Sequence, residues 1–179
     1  MAQGGEERRG FVQVYTGDGK GKTTAALGLA LRAAGHGLYT YIGQFMKGQP
    51  YGELEAARLL APYLTIEQYG RPSFVHVRHA TPEDIRCAHE GLARAREALL
   101  SGRYDIVVLD EVCVALHFGL LTLPEVLSLL NERPAKVELV LTGRRAPKEL
   151  LDRADLVTEM REIKHPYASG VSARPGIEY

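Results

Sequence analysis

Two hydrophobic rhythms alternate along the chain. Short apolar runs at Phe11–Tyr15, Leu38–Met46, Leu64–Gln68, Tyr104–Leu109, Val137–Leu141 and Leu156–Met160 have the length and side chains of buried strands. Between them, apolar residues return at helical spacing. Ile85, Ala88, Leu92, Ala95 and Leu99 form one such stripe, and Leu123, Val126, Leu127 and Leu130 form another. The first stripe follows Thr81-Pro82-Glu83-Asp84, a helix start, and ends at Ser101-Gly102. The second follows Thr122-Leu123-Pro124-Glu125, a capping box. Further helices are expected over Thr23–Ala34, closed by Gly35-His36-Gly37, over Gly52–Leu60 and over Ala146–Leu151. Strand and helix in alternation predict an α/β fold, a mostly parallel sheet flanked by helices. No internal repeat or linker interrupts the pattern, so residues 1–179 are expected to form one domain. Residues 1–10 are a polar arm, and 163–179 an irregular tail.

Composition narrows the class. Lys and Arg number 22, Asp and Glu also 22, and this balance argues against a nucleic-acid binder. No apolar run is long enough to span a bilayer. The first ten residues lack the apolar core of a signal peptide, so a cytoplasmic protein is expected. Cys87 and Cys113 form no C-x-x-C pair, and the six histidines show neither a triad nor a metal-ligand spacing.

The candidate chemistry begins after the first strand, at Thr16-Gly17-Asp18-Gly19-Lys20-Gly21-Lys22-Thr23-Thr24. Its glycines let backbone N–H groups curl around an anion, and the following helix turns its positive end to the same place. Lys22 adds charge, and Thr23 offers a hydroxyl to a Mg²⁺ (or Mn²⁺) ion on the phosphates of ATP. Strand, glycine loop and helix together mark a P-loop (RecA-like) fold. Thr16 stands where the usual pattern has its first glycine, so ordinary hydrolysis does not follow from the motif.

Asp110-Glu111 ends an apolar strand, and ligands of open parallel sheets bind beyond such ends. Both acids are therefore candidates for the metal. Gln44, Lys47, Thr142 and Arg144 close other strands at the same edge. Arg144 either grips phosphate or makes a surface ion pair, and Arg32 either reaches the ligand or is solvated. Phe45, Tyr69 and Phe74 either stack on a flat ligand or belong to the core. Lys164, His165 and Arg174 either fold over a pocket or face water.

Several blocks occur in a set order: Gly17 to Ala26, Gly35-His36-Gly37, Gln44-Phe45-Met46-Lys47-Gly48, Leu109-Asp110-Glu111, Leu130 to Pro134, Leu141-Thr142-Gly143-Arg144 and Lys164-His165. In this the chain resembles the P-loop ATP:corrinoid adenosyltransferases of vitamin B12 biosynthesis and salvage, from Gly10 to Tyr179. The resemblance implies that a cob(I) corrinoid attacks the 5′ carbon of ATP and that triphosphate leaves whole. It implies that Gly17, Asp18, Gly19, Lys20, Gly21, Lys22, Thr23 and Thr24 bind ATP, with Arg32 and Arg144 near the nucleotide. Thr23 and Glu111, then Asp110, would hold the metal. It further implies a homodimer, served by a flavin-type reductant or reductase. Some members place a Phe and a Trp after the glycine matching Gly70, to displace the lower cobalt ligand. This chain has Phe74 there and no Trp, so Phe74 is the catalytic candidate at the corrin. The competing reading of the loop and acid pair is a P-loop nucleoside kinase or NTPase that releases ADP.

Overall fold

The computed structural model describes residues 8–71 and 80–179. Six strands form one sheet in the order β3-β2-β4-β5-β1-β6. They are β1 (Val12–Thr16), β2 (Thr40–Phe45), β3 (Leu64–Tyr69), β4 (Ile106–Asp110), β5 (Glu138–Thr142) and β6 (Leu156–Glu159). Every neighbouring pair is parallel, so all carboxyl ends open on one edge. β1 and β4, which bear the glycine loop and the acids, are separated by β5.

Alternation along each strand divides the core in two. On β4, Val107 and Leu109 join Val12, Val14, Leu139 and Leu141 on one face. Ile106 and Val108 join Tyr15, Ile42 and Val140 on the other. The first face is covered by α3 (Pro82–Leu100), α4 (Val112–His117) and α5 (Leu123–Glu132), the second by α1 (Lys22–Ala34) and α2 (Gly52–Leu59). The predicted stripe of α3 sends Ala88, Leu92, Ala95 and Leu99 into the core. Leu99 is fully buried. Such burial contributes about 2 kcal/mol.

Both predicted capping boxes are present. Thr81 and Asp84 bond reciprocally at the start of α3, as do Thr122 and Glu125 at α5, each with Pro in the first turn. A last short helix, α6 (Lys148–Arg153), precedes β6, which forms one exposed edge of the sheet.

Two elements went unpredicted. α4 is buried at Val112, Cys113 and Ala115 and has no side-chain cap, so it shows neither a polar face nor a start signal. A 3-10 turn at Pro166–Ser169 interrupts the tail. The choice left open for Phe45 and Tyr69, ligand or core, falls to the core. Phe45 has no exposed surface and Tyr69 little, because both close strands under α3. They are core residues, with ring centroids 6.3 Å apart. Phe74 lies outside the described residues. Among the described residues, no helix is long and apolar enough to cross a membrane.

Candidate active site

The loop between β1 and α1 is shaped by close approach to the chain after β6. Gly17 has φ +94°, and a Cβ there would stand 2.4 Å from the Met160 carbonyl oxygen. Neither the dihedral nor the space admits a side chain. The Gly19 amide donates to that same carbonyl at 2.7 Å. Gly21, at φ 118°, turns the chain into α1.

Lys22, the first residue of α1, is buried and folds back onto the loop. Its ammonium donates to the carbonyls of Gly17 at 2.8 Å and Gly19 at 2.7 Å. Burial pulls its pKa below the usual lysine range, with Arg144 adding to that and Glu111, Asp18 and Asp110 opposing.

Asp110, the last residue of β4, has no exposed surface and four hydrogen-bond donors. Oδ1 accepts from the hydroxyls of Thr23 at 2.8 Å and Thr142 at 2.7 Å. Oδ2 accepts from Lys47 Nζ at 3.0 Å and Gln44 Nε2 at 3.3 Å. Lys47 also faces Glu53 at 3.6 Å. Burial lowers the Lys47 pKa, but Asp110 and Glu53 outweigh it and the net direction is upward. Asp110 therefore joins the ends of β2, β4 and β5 to the start of α1, with its charge countered by Lys47.

Glu111 differs. It takes φ 63° to turn from β4 into α4, and its backbone N–H donates to the Thr142 hydroxyl at 2.9 Å. Its side chain lines the cavity, and among the described residues no hydrogen-bond donor or ion-pair partner meets its carboxylate. Burial, then the neighbouring Asp110, raises its pKa, against the pull of Lys47, Lys22 and Arg144.

These groups border an open cavity of 1770 Å³ at the carboxyl edge of the sheet. Asp18 to Thr24 form one wall, Lys47, Tyr51 and Glu53 another, and Leu27, Leu31, Leu60 and Leu64 an apolar side. Of the predicted site residues, Asp18, Gly19, Lys20, Gly21, Lys22, Thr23, Thr24, Glu111 and Arg144 come together here. Gly17 and Asp110 support them from behind through the contacts above. Arg144 also donates to the Asp18 carbonyl at 3.1 Å. Arg32 does not line the cavity and is exposed further along α1. Among the described residues, no cluster of three or more His, Cys, Asp or Glu could hold a metal unaided.

A family model described as ATP:corrinoid adenosyltransferase BtuR/CobO/CobP matches residues 8–179. This chain belongs to the ATP:corrinoid adenosyltransferase family. A corrinoid adenosyltransferase of Escherichia coli (strain K12) is 38% identical over 175 residues, spanning 97% of this chain and 88% of that protein. The corrinoid adenosyltransferase CobA of Salmonella typhimurium (strain LT2) is 39% identical over 175 residues, with the same two shares of 97% and 88%. That of Pseudomonas aeruginosa (strain PAO1) is 36% identical over 180 residues, covering all of this chain and 88% of its own.

Some cavity residues escaped the motif reading. Glu53 opens a helix with no distinctive signature, although acids are common in a first turn. His117 and Arg145 reach the cavity from the unpredicted α4 and from the turn after β5. Of the tail residues named from sequence, His165 lines the cavity, whereas Arg174 binds Glu178. Gly176 to Tyr179 also line it, and no local pattern foretold that.

Proposed function

We propose that this enzyme transfers the 5′-deoxyadenosyl group of ATP to the cobalt of a cob(I) corrinoid and releases triphosphate, in cobalamin biosynthesis or salvage. One observation carries the reading within the family. The glycine loop and the acid pair meet across a single hydrogen-bonded network, Thr23–Asp110–Thr142–Glu111, beside a large cavity. A site for one small molecule occupies roughly 300–1,000 Å³, so this cavity has room for two substrates.

In the reaction, the cobalt electron pair forms a bond to C5′ while the C5′–O bond breaks and its electrons leave with triphosphate. The chain's part is to receive that charge. Loop amides, the N-terminus of α1 and Lys22 are preorganised around an anion and stabilise it as it develops. Lys22 is partly desolvated already, which strengthens its pull on a phosphate oxygen.

The donor set fits a divalent ion carried by ATP. The Thr23 proton is committed to Asp110, so the hydroxyl's lone pairs are free for a cation. The Glu111 carboxylate is the second donor, while Asp110 is saturated and acts through Thr23. Mg²⁺ is commonly held by one or two such protein groups plus substrate phosphates. When bound, the ion would add positive charge against the leaving triphosphate.

The proposal extends to a cytoplasmic, single-domain protein and, as the family resemblance implies, to a homodimer supplied with cob(I) by a flavin-type reductant or reductase. Phe74 remains its candidate for the corrin face. An anaerobic, dim-light assay with ATP, Mg²⁺ and a chemically reduced corrinoid tests the reaction. The cobalt spectrum should change as triphosphate appears in equal amount. ADP or single phosphate as the product would transfer the case to a kinase or NTPase.

A further inference from the structure

The chemistry above makes no use of the segment Arg174–Tyr179, yet that segment lies against the phosphate loop. Gly176, Ile177, Glu178 and Tyr179 all line the cavity. Lys20, inside the loop, donates to the Ile177 carbonyl at 3.0 Å and to Glu178 Oε1 at 3.2 Å. At the other side, the Tyr179 carbonyl oxygen lies 3.8 Å from where a Cβ on Gly52 would stand. The segment thus spans from the phosphate loop to the start of α2.

Its shape is fixed from within. The amides of Ile177 and Glu178 both donate to the Arg174 carbonyl, at 3.2 and 3.0 Å, and Gly176 N–H donates to the Tyr179 carbonyl at 2.7 Å. Arg174 grips the Glu178 carboxylate three times, through its backbone N–H at 2.8 Å, Nη2 at 3.0 Å and Nε at 3.3 Å. These bonds, led by the Arg174 side chain, hold the Glu178 pKa down to about 2. Glu178 is accordingly a permanent anion in a preformed turn, held against a cation of a loop built to receive anions.

A carboxylate and a phosphate oxygen make the same charge-assisted bond to an ammonium group. Lys20 cannot serve both fully, and two anions sharing it repel one another. We propose that Glu178 is an internal competitor for the polyphosphate chain: it holds Lys20 until polyphosphate takes that lysine. The inference rests on the loop being the polyphosphate cradle. Because the Arg174–Glu178 clamp is independent of Lys20, the turn moves aside as a unit. The competition weakens the grip on the triphosphate product and thereby assists its release.

The test is equilibrium binding of inorganic tripolyphosphate to the full chain by calorimetry, at several salt concentrations. Glu178→Gln should tighten binding about fivefold, the scale of a half-exposed ion pair with its repulsion removed. Its affinity should also fall more steeply with salt, since one more cation is free for the ligand. Glu178→Asp, which keeps the charge, should stay within about twofold of the parent. Unchanged or weaker binding by Glu178→Gln, while the parent binds and Lys22→Ala does not, overturns the competitor alone. Failure of the parent to bind, or equal binding by Lys22→Ala, overturns the cradle and the competitor with it.

Discussion

The Thr23 hydroxyl gives its proton to Asp110 at 2.8 Å, linking the phosphate loop to the acidic end of β4 across the intervening strand β5. Two motifs 87 positions apart in the chain become one site through this bond. Its direction matters, because it leaves oxygen lone pairs, not a proton, for a cation on the substrate.

Thr23→Val should therefore raise the Mg²⁺ concentration for half-maximal adenosyl transfer by about tenfold or more. Thr23→Ser keeps the hydroxyl and should restore most of the affinity. Metal titrations of the initial rate check this. Equal metal dependence in the valine and serine variants would remove Thr23 from the metal site. Chelation of divalent metal should depress the parent's rate, and added Mg²⁺ should recover it.

Lys22 spends its ammonium on the loop's own carbonyls at 2.8 and 2.7 Å, bonds that an arriving phosphate can replace. Lys22→Ala should lower kcat/KM by roughly 10²–10³, the usual scale for removing one oxyanion donor. The bond to Gly17 is half-buried and that to Gly19 buried, but the variant also removes a charge that burial disfavours, so the loss of stability should be about 1 kcal/mol. At this chain length that amounts to about 2–4 °C in Tm. Triphosphate release and thermal unfolding, measured on one preparation, separate the two effects. Full activity in this variant would place the cradle elsewhere.

What was legible in sequence was local. The β1–loop–α1 unit, the alternation in β4 and both capping boxes each declare themselves within a few residues. The strand-end residues Gln44, Lys47 and Thr142 could be assigned to one edge because every strand is parallel. Direction and distance were not legible. Tyr69 closes β3 like a ligand-facing aromatic, yet its ring lies against α3, so close that a Cβ on Gly91 would stand 2.7 Å from it. Only the pleat of β3 and the cover of α3 decide which way the ring points. The Lys20–Glu178 pair joins residues 158 positions apart, a contact with no periodicity to announce it.

Asp110 and Glu111 are neighbours with opposite needs, and their substitutions should diverge. Asp110→Ala leaves the half-buried Lys47 with only the more distant Glu53 and strips partners from Thr23, Thr142 and Gln44. Breaking such a buried pair costs about 3–5 kcal/mol. Glu111→Gln breaks no ion pair and removes a charge that burial disfavours, so stability should move by less than about 0.5 kcal/mol. Activity should fall in both. Urea denaturation of the ligand-free variants checks the contrast. Equal destabilisation would mean that Glu111 has a structural duty.

Asp84 should impose an acid limit on stability. Its carboxylate accepts from Arg71 at 2.7 and 3.1 Å, and from the Thr81 amide at 2.9 Å and hydroxyl at 2.7 Å. Burial pushes its pKa up, but the bonds from Arg71 and Thr81 outweigh that, and the net direction is down. A depressed folded pKa means that the unfolded chain binds the proton more readily. The stabilisation is then complete above the unfolded aspartate pKa of about 3.9 and fades as pH falls through the lower folded value. Asp84→Asn should cost about 1 kcal/mol near neutrality, from the lost ion pair and a weaker bond back to Thr81, while the Thr81 cap itself stays. The gap to the parent should narrow below about pH 4. Urea midpoints between about pH 7 and pH 3 follow it. A gap that stays constant over that range would show that the Asp84 charge adds nothing to the cap.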